Sequence, residues 1–221
     1  MRKLAFAFIA LLAVASPSRA DTILVGTPGP TATQDCVVFG CGIHAQFIFD
    51  ASYFSEALLI DTLTFFNSVV DVPDTFSGPF TMTLSTTSSS VNAPSATFAT
   101  NLGADAQLFG VFNPAGSIPA TFSFSGTPFA YNPANGNLLL DVTSPNSPFS
   151  AFTDYNSGAG FNVSRVWNLD GSASGTVNAN YGPVTKFEGD PIPEPGTLTL
   201  LGLGLCSVAA GLRRRKHQSR S

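Results

Sequence analysis

Two cysteines and a histidine lie within the nine-residue stretch CVVFGCGIH near the start of the chain. A metal site built on Cys36 and Cys41 would need further thiolate or imidazole ligands, and His44 is the one such residue close by in the sequence. In an exported protein, an even pair of cysteines instead favours a disulfide. This bond would close a small loop and hold an N-terminal hairpin, with a modest gain in stability. We therefore predict a Cys36–Cys41 disulfide and no metal centre.

His44 is also the only histidine between residues 21 and 192, so a base-assisted nucleophile in that region would depend on it. The sequence contains no G-x-S-x-G, which favours a surface or hydrogen-bonded histidine. Asp71 and Asp74 in DVPD carry oxygens suited to Ca²⁺, but no D-x-D-x-D-G loop accompanies them, and we interpret them as solvated charges. A glycosidase would need two carboxyl groups about 5–9.5 Å apart, and no spacing singles out such a pair. The sequence therefore predicts that the region between residues 21 and 192, which we call the body, is not an enzyme and binds no cofactor.

Arg165 and Trp167 are the remaining candidates, in the stretch FNVSRVW. In a strand, these two residues share a face with Phe161 and Val163 because side chains alternate. An arginine on an apolar face needs a carboxylate partner or an aromatic ring to stack on. We favour a structural ion pair with one of the body's acidic residues. The alternative is a ligand platform, in which Trp167 stacks on a pyranose ring beside Arg165.

Strands must position these residues, because the hydrophobic pattern alternates as in half-buried sheets. In PFTMTLST, Phe80, Met82 and Leu84 share one face, and ATFSFS alternates in the same way. Further strands are predicted at 45–49, 58–66, 96–100, 107–112, 137–143, 161–168, 175–180 and 183–187, with Gly-, Pro- and Asn-rich turns between them. No long helical period is present. This pattern, with eighteen phenylalanines between residues 21 and 192 to fill a core, predicts an all-β fold: a single, jelly-roll-like β-sandwich domain.

Charge is distributed unevenly along the chain. The formal net charge is −4, but residues 21–192 contain thirteen acidic residues and only two basic ones, a local net charge of −11. Nucleic-acid binding requires a basic surface, so the composition excludes nucleic acid as a partner. A strongly acidic body is also expected to stay dispersed outside the cell.

The first twenty residues have the three parts of a secretory signal peptide. A charged start, MRK, is followed by an apolar run from Leu4 to Val14, and small residues then surround a cleavage site at Ala20. A proline ends the apolar run, and the run has no polar face, which disfavours an ordinary surface helix. We predict an N-terminal signal helix that directs the chain through the Sec translocon and is removed after Ala20.

A second apolar segment, Thr197–Leu212, lies near the C-terminus and is followed at once by a basic cluster of Arg213, Arg214, Arg215 and Lys216. Desolvating four cations is costly, so translocation should stop there with the cluster in the cytoplasm. Sixteen helical residues rise about 24 Å, less than the roughly 30 Å hydrocarbon core. Snorkelling and bilayer thinning compensate for such a mismatch. We predict a single C-terminal transmembrane helix that anchors the protein transiently.

The order of features at this end resembles a known signal. Pro193-Glu194-Pro195, a Gly-containing apolar span and a terminal arginine cluster resemble the PEP-CTERM sorting signal of exported Gram-negative proteins. The resemblance implies processing by the membrane enzyme exosortase near the Pro-Glu-Pro sequence. It also implies an association with exopolysaccharide production and with surface or biofilm material.

The sequence therefore divides into a signal peptide (1–20), a β-sandwich body (21–190), a sorting segment (191–216) and a cytoplasmic tail (217–221). We expect a protein that is exported across the inner membrane, anchored transiently, and then located at the cell surface or in the extracellular matrix. Its expected partners are exosortase and the Sec translocon, with the exopolysaccharide matrix as a further candidate. A displayed carbohydrate-binding module is the alternative function, and a glycoside hydrolase is the third.

Overall fold

The computed structural model describes residues 20–29, 32–36, 39, 43–68, 75–76, 78–144, 153–193 and 204. These residues form an all-β structure with almost no helix, as the alternating pattern predicted. The strands are β1 (Asp21–Val25), β2 (Thr33–Asp35), β3 (His44–Phe49), β4 (Leu58–Phe66), β5 (Phe80–Thr87), β6 (Gln107–Phe112), β7 (Thr121–Tyr131), β8 (Asn137–Thr143), β9 (Thr153–Ser157), β10 (Val163–Asn168), β11 (Thr176–Asn178), β12 (Tyr181–Pro183) and β13 (Thr185–Pro191). One α-helical turn, α1, spans Phe98–Asn101, and two 3₁₀ turns span Ala51–Tyr53 and Pro133–Asn135.

The strands form three antiparallel sheets. The four-stranded sheet has the order β1-β13-β4-β7, the six-stranded sheet has the order β11-β10-β3-β8-β5-β6, and the three-stranded sheet has the order β12-β9-β2. Most neighbours within a sheet are distant in sequence. The chain therefore repeatedly crosses between the two larger sheets, as expected for a sandwich-like architecture.

The core lies where the four-stranded and six-stranded sheets face each other. Phe187 of β13 meets Phe49 of β3 with ring centroids 5.0 Å apart, and Phe124 of β7 meets Phe80 of β5 at 6.5 Å. Phe39 is 1% exposed and makes edge contacts with rings from both sheets. Edge-to-face aromatic pairs of this kind add to the area that they bury. The fold is therefore β-sandwich-like, with a phenylalanine-rich core as predicted.

The outer face of the six-stranded sheet is partly covered by the segment 88–106, which connects β5 to β6. Val91 of this segment packs against Ile48 and Leu139 of the sheet in a small second cluster. The hydroxyl of Ser164 donates a hydrogen bond to the carbonyl of Val91. Our prediction of a strand at 96–100 is wrong, because this covering segment turns into α1 and only Thr97 forms an isolated bridge, with Ser174.

Four short strands were not predicted from the sequence: β1, β2, β9 and β12. Each has three to five residues, too few to establish a clear period. By contrast, three predicted strands have the observed bounds: β4, β6 and β8.

The chain divides into two compact units, Met1–Pro191 and Ile192–Ser221. Of the second unit, only residues 192, 193 and 204 are described. The predicted signal peptide before Ala20 and nearly all of the predicted span Thr197–Leu212 therefore lie outside the described residues. Within the described part of the chain, no helix combines the length and the apolar character that crossing a bilayer requires.

Candidate functional site

Arg165 lies in β10, an interior strand of the six-stranded sheet, where its register partners are Asn178 of β11 and Phe47 of β3. Its side chain reaches residues of the three-stranded sheet as well. We call the resulting group the Arg165 cluster; its members are Asp35, Tyr155, Arg165, Trp167, Asn178 and Tyr181. They come from five strands and two sheets, so the cluster links the six-stranded sheet to the three-stranded one.

The polar side chains of the cluster form hydrogen bonds with one another. Arg165 Nη1 donates to Asp35 Oδ2 over 2.9 Å and forms an ion pair with it, and Arg165 Nε donates to Asn178 Oδ1 over 2.9 Å. Trp167 Nε1 donates to the same Asn178 oxygen over 2.8 Å. The Tyr181 hydroxyl donates to Asp35 Oδ2 over 2.7 Å. The arginine that the sequence placed on an apolar face thus has a carboxylate partner.

Three aromatic rings surround the guanidinium group. Its carbon lies 4.5 Å from the ring centroid of Tyr181, 5.0 Å from that of Trp167 and 5.5 Å from that of Tyr155. Burial raises the pKa of the Tyr155 phenol, and the Arg165 charge offsets part of that rise. Burial, together with the hydrogen bond to Asp35, also raises the pKa of Tyr181. Both phenols therefore remain protonated, and Tyr181 remains a hydrogen-bond donor.

Two open concavities flank the cluster. One, of about 480 Å³, is lined by Arg165, Asn178 and Tyr181 together with the turn at 157–159. The other, of about 330 Å³, is lined by half-buried Trp167 and by hydroxyl-rich residues of the β10–β11 turn. The guanidinium and the aromatic rings are thus mainly engaged with one another, while Arg165, Tyr181 and Trp167 also border open space. The ligand platform of Arg165 and Trp167 remains a prediction.

His44 lies at the start of β3 and is held on two sides. Its Nε2 atom hydrogen-bonds Asp141 Oδ1 over 2.7 Å, and its ring stacks on Phe98 with centroids 3.7 Å apart. Phe98 begins α1, so the histidine helps to seat the covering segment on the sheet. These contacts fix the imidazole between β8 and α1.

The other sequence-predicted residues are only partly described. Cys36 is disulfide-bonded, but Cys41 lies outside the described residues, so the Cys36–Cys41 pairing remains a prediction. Asp71 and Asp74 also lie outside them. In the part of the chain that the structure describes, no group of three or more His, Cys, Asp or Glu side chains is placed to hold a metal ion.

Sequence reasoning did not find the partners of Arg165. Asp35 is 130 residues away in the sequence, and Tyr155 and Tyr181 lie in strands that were not predicted. It also missed Asp154, a fully buried carboxylate that accepts hydrogen bonds from Ser68 and from the backbone of Gly29. The only available signal was the position of Arg165 on an apolar strand face, which requires a carboxylate or an aromatic partner.

The described part of the chain thus defines a class: an all-β domain whose last strand, β13, leads directly into the C-terminal segment. Residues 191–216 of that segment match the family model of the PEP-CTERM protein-sorting motif. The chain thus carries a PEP-CTERM sorting motif at its C-terminal end, which confirms the resemblance seen in the sequence. No curated protein and no solved structure matches the chain.

The matched segment contains the predicted sorting residues, although the structure describes only Pro193 among them. Glu194, Pro195 and the basic cluster Arg213–Lys216 lie outside the described residues. A sorting signal of this family implies a protein that is exported, processed by exosortase, and located at the surface or anchored in the membrane. The match covers the C-terminal segment and not the body.

Proposed function

We propose that this protein is a non-catalytic surface or matrix component, exported through the Sec translocon and associated with exopolysaccharide. The observation that carries the proposal is the sorting motif at 191–216. In this proposal the segment Thr197–Leu212 anchors the chain transiently, and the basic residues that follow it keep the tail in the cytoplasm. Exosortase then separates the body from the anchor near Pro193-Glu194-Pro195.

The position of the motif relative to the body supports this proposal. The matched segment begins at Pro191, which is the last residue of β13. Processing at or after Pro193 would therefore remove no residue from a strand. The exported body would keep its complete fold after the anchor is cut away.

The contacts of the body's basic side chains favour a non-catalytic role. Arg165 is paired with Asp35 and enclosed by three rings, Lys186 is paired with Glu188 at 3.0 Å, and His44 is paired with Asp141. A general acid or base must instead reach a substrate. We therefore propose that these residues stabilise the fold.

Mass spectrometry of the surface-exposed protein tests the sorting proposal. We expect a chain that begins at Asp21 and lacks Arg213–Ser221. A variant with Pro193-Glu194-Pro195 replaced by alanines should retain the tail and stay with the membrane fraction. Recovery of intact Arg213–Ser221 on the surface form of the unaltered protein would refute the proposal.

A displayed carbohydrate-binding module is the second candidate function. It is favoured by the half-buried position of Trp167 beside a concavity lined with hydroxyl groups, since binding sites commonly combine an aromatic surface with a few polar groups. Trp167 is the only tryptophan of the chain, so intrinsic fluorescence reports on this site alone. Titration with soluble polysaccharides should change that fluorescence if the module exists, and Trp167→Phe should weaken binding measured by calorimetry.

The third candidate, a glycoside hydrolase, predicts release of reducing sugar from polysaccharide by the purified body. If the body neither binds nor hydrolyses polysaccharide, the purely structural role remains as the proposal.

A further inference from the structure

The first and last strands of the body are neighbours in the four-stranded sheet. β1 and β13 pair antiparallel with the register Asp21↔Gly189, Thr22↔Glu188 and onward to Val25↔Thr185. Antiparallel pairing brings the beginning of one strand beside the end of the other. The first residue after the predicted signal cleavage site and the first residue of the sorting motif, Pro191, therefore lie at the same end of one sheet.

β13 is an integral part of the body. It lies between β1 and β4, and pairs with β4 over its whole length and with β1 from Thr185 to Gly189. Thr185 and Phe187 are fully buried, and a side chain at Gly189 would come within 2.0 Å of the Leu59 carbonyl oxygen. The strand is thus fitted closely on both sides up to Gly189, and β4 alone pairs with it up to Pro191, where the sorting motif begins. The four-stranded sheet is complete only when residues 185–191 are in place.

The lengths of the two connections to the predicted membrane segments are similar. Six residues, 15–20, separate the apolar run of the signal peptide from Asp21, and five residues, 192–196, separate Pro191 from Thr197. Fully extended, these connections reach about 20 Å and about 17 Å. Neighbouring strands lie about 4.8 Å apart. Both connections can therefore stay attached to membrane segments while β1 and β13 pair in register.

From this arrangement we propose that the body folds, with β1 and β13 paired in register, while both of its ends are still attached to their membrane segments, so that both processing cuts fall at the end of the four-stranded sheet where Asp21 and Pro191 lie. The signal peptidase and exosortase act there on a body that is already folded and tethered at both ends. Folding does not have to wait for either cut, because neither removes a residue of β1 or β13. The identity of the two cuts rests on the proposed function, whereas the folded state of the doubly tethered chain does not.

A disulfide between register partners tests whether the doubly tethered chain is folded. In the full-length chain we would introduce Thr22→Cys and Glu188→Cys, because register partners have Cβ atoms about 4.5–5.5 Å apart, close to the separation in disulfides. Ala20→Phe would block removal of the signal peptide, since the cleavage position requires a small residue. Replacing Pro193-Glu194-Pro195 by alanines would block the second cut.

The expected result is a disulfide between the cysteines introduced at positions 22 and 188 of the uncut precursor, identified by mass spectrometry of a non-reduced digest. The control is Thr22→Cys with Ser125→Cys in the same background. Ser125 lies in the same row of the sheet on β7, three strand spacings or about 14 Å away, and cannot bridge to position 22. A disulfide that forms only after one or both ends have been cut would overturn the proposal, and so would its absence from the fully processed protein.

The same experiment separates this proposal from the sorting proposal. If the unaltered chain is never cut near Pro193, the sorting proposal fails whether or not the disulfide forms. If the chain is cut but the uncut precursor lacks the disulfide, the sorting proposal stands and the inference about the folded precursor fails.

Discussion

At the scale of single residues, the two cations of the body have different surroundings. The Arg165 side chain is 8% exposed and its partner Asp35 is 16% exposed, whereas Lys186 and Glu188 are 30% and 31% exposed. Removing one member of a buried ion pair leaves an uncompensated charge and costs about 3–5 kcal/mol, while an exposed pair contributes about 0–1 kcal/mol. The two pairs should therefore differ strongly in their importance for stability.

We predict that Arg165→Met lowers the free energy of unfolding by about 3 kcal/mol, because the Asp35 carboxylate loses its cation and the Asn178 amide oxygen loses one of its two donors. Lys186→Met is the matched control and should change it by less than about 1 kcal/mol. Urea denaturation followed by circular dichroism measures both. Equal effects of the two substitutions would show that the Arg165 cluster does not hold the sheets together.

At the scale of elements, Asn101 fixes the segment 88–106 on the outer face of the six-stranded sheet. Its side chain is fully buried; its Nδ2 atom donates to Gln46 Oε1 over 3.1 Å and to the Ser95 carbonyl over 2.8 Å. Its Oδ1 atom accepts hydrogen bonds from the Ser89 hydroxyl and the Ser95 amide. One side chain thus holds two parts of the segment and joins them to β3.

We predict that Asn101→Ala releases this segment while the sandwich stays folded. The substitution leaves buried polar groups without partners, at about 1–3 kcal/mol each, and the covering segment has few apolar contacts to offset that cost. Hydrogen exchange should speed up for amides in 88–106 and stay slow in β4 and β8. Asn135→Ala, at an exposed position of a 3₁₀ turn, is the control. Faster exchange throughout the body would contradict the prediction.

These elements also show what the sequence could predict. β4, β6 and β8 follow an alternating or continuous apolar pattern long enough to establish their bounds. The segment around α1 contains the same residue types, but the buried amides of Gln46 and Asn101 make it a cover for the sheet. Such contacts between distant residues leave no local signal. Likewise, the need of Arg165 for an acidic partner was predictable, but the choice of Asp35 depends on three-dimensional packing.

At the scale of the whole molecule, the charge distribution and the sheet topology both distinguish the body from its two terminal segments. The body carries thirteen acidic residues against two basic ones, and both basic side chains form ion pairs within it. The cations that hold a chain at the cytoplasmic face are therefore concentrated in the two segments outside the body. Because β1 and β13 are neighbours, those segments attach at one end of the four-stranded sheet.

The four tyrosines make the stability of the whole fold depend on pH. Burial is the main cause that raises the pKa of Tyr53, Tyr131, Tyr155 and Tyr181, and these are all the tyrosines of the chain. In the unfolded chain they should titrate near the ordinary value of about 10. Above that pH the unfolded state binds fewer protons than the folded state, so stability is fully present below a pH of about 10 and falls as the pH rises further.

We therefore predict that tyrosinate absorbance of the native body lags behind that of a urea-denatured control as the pH rises above about 10. The absorbance should then increase together with the loss of the β-sheet circular dichroism signal, because the phenols ionise on unfolding. Tyr131→Phe removes one of these groups and should reduce the steepness of the stability loss with pH. If all four phenols ionise near their ordinary pKa while the sheet signal persists, then the tyrosines do not link the fold to pH in this way.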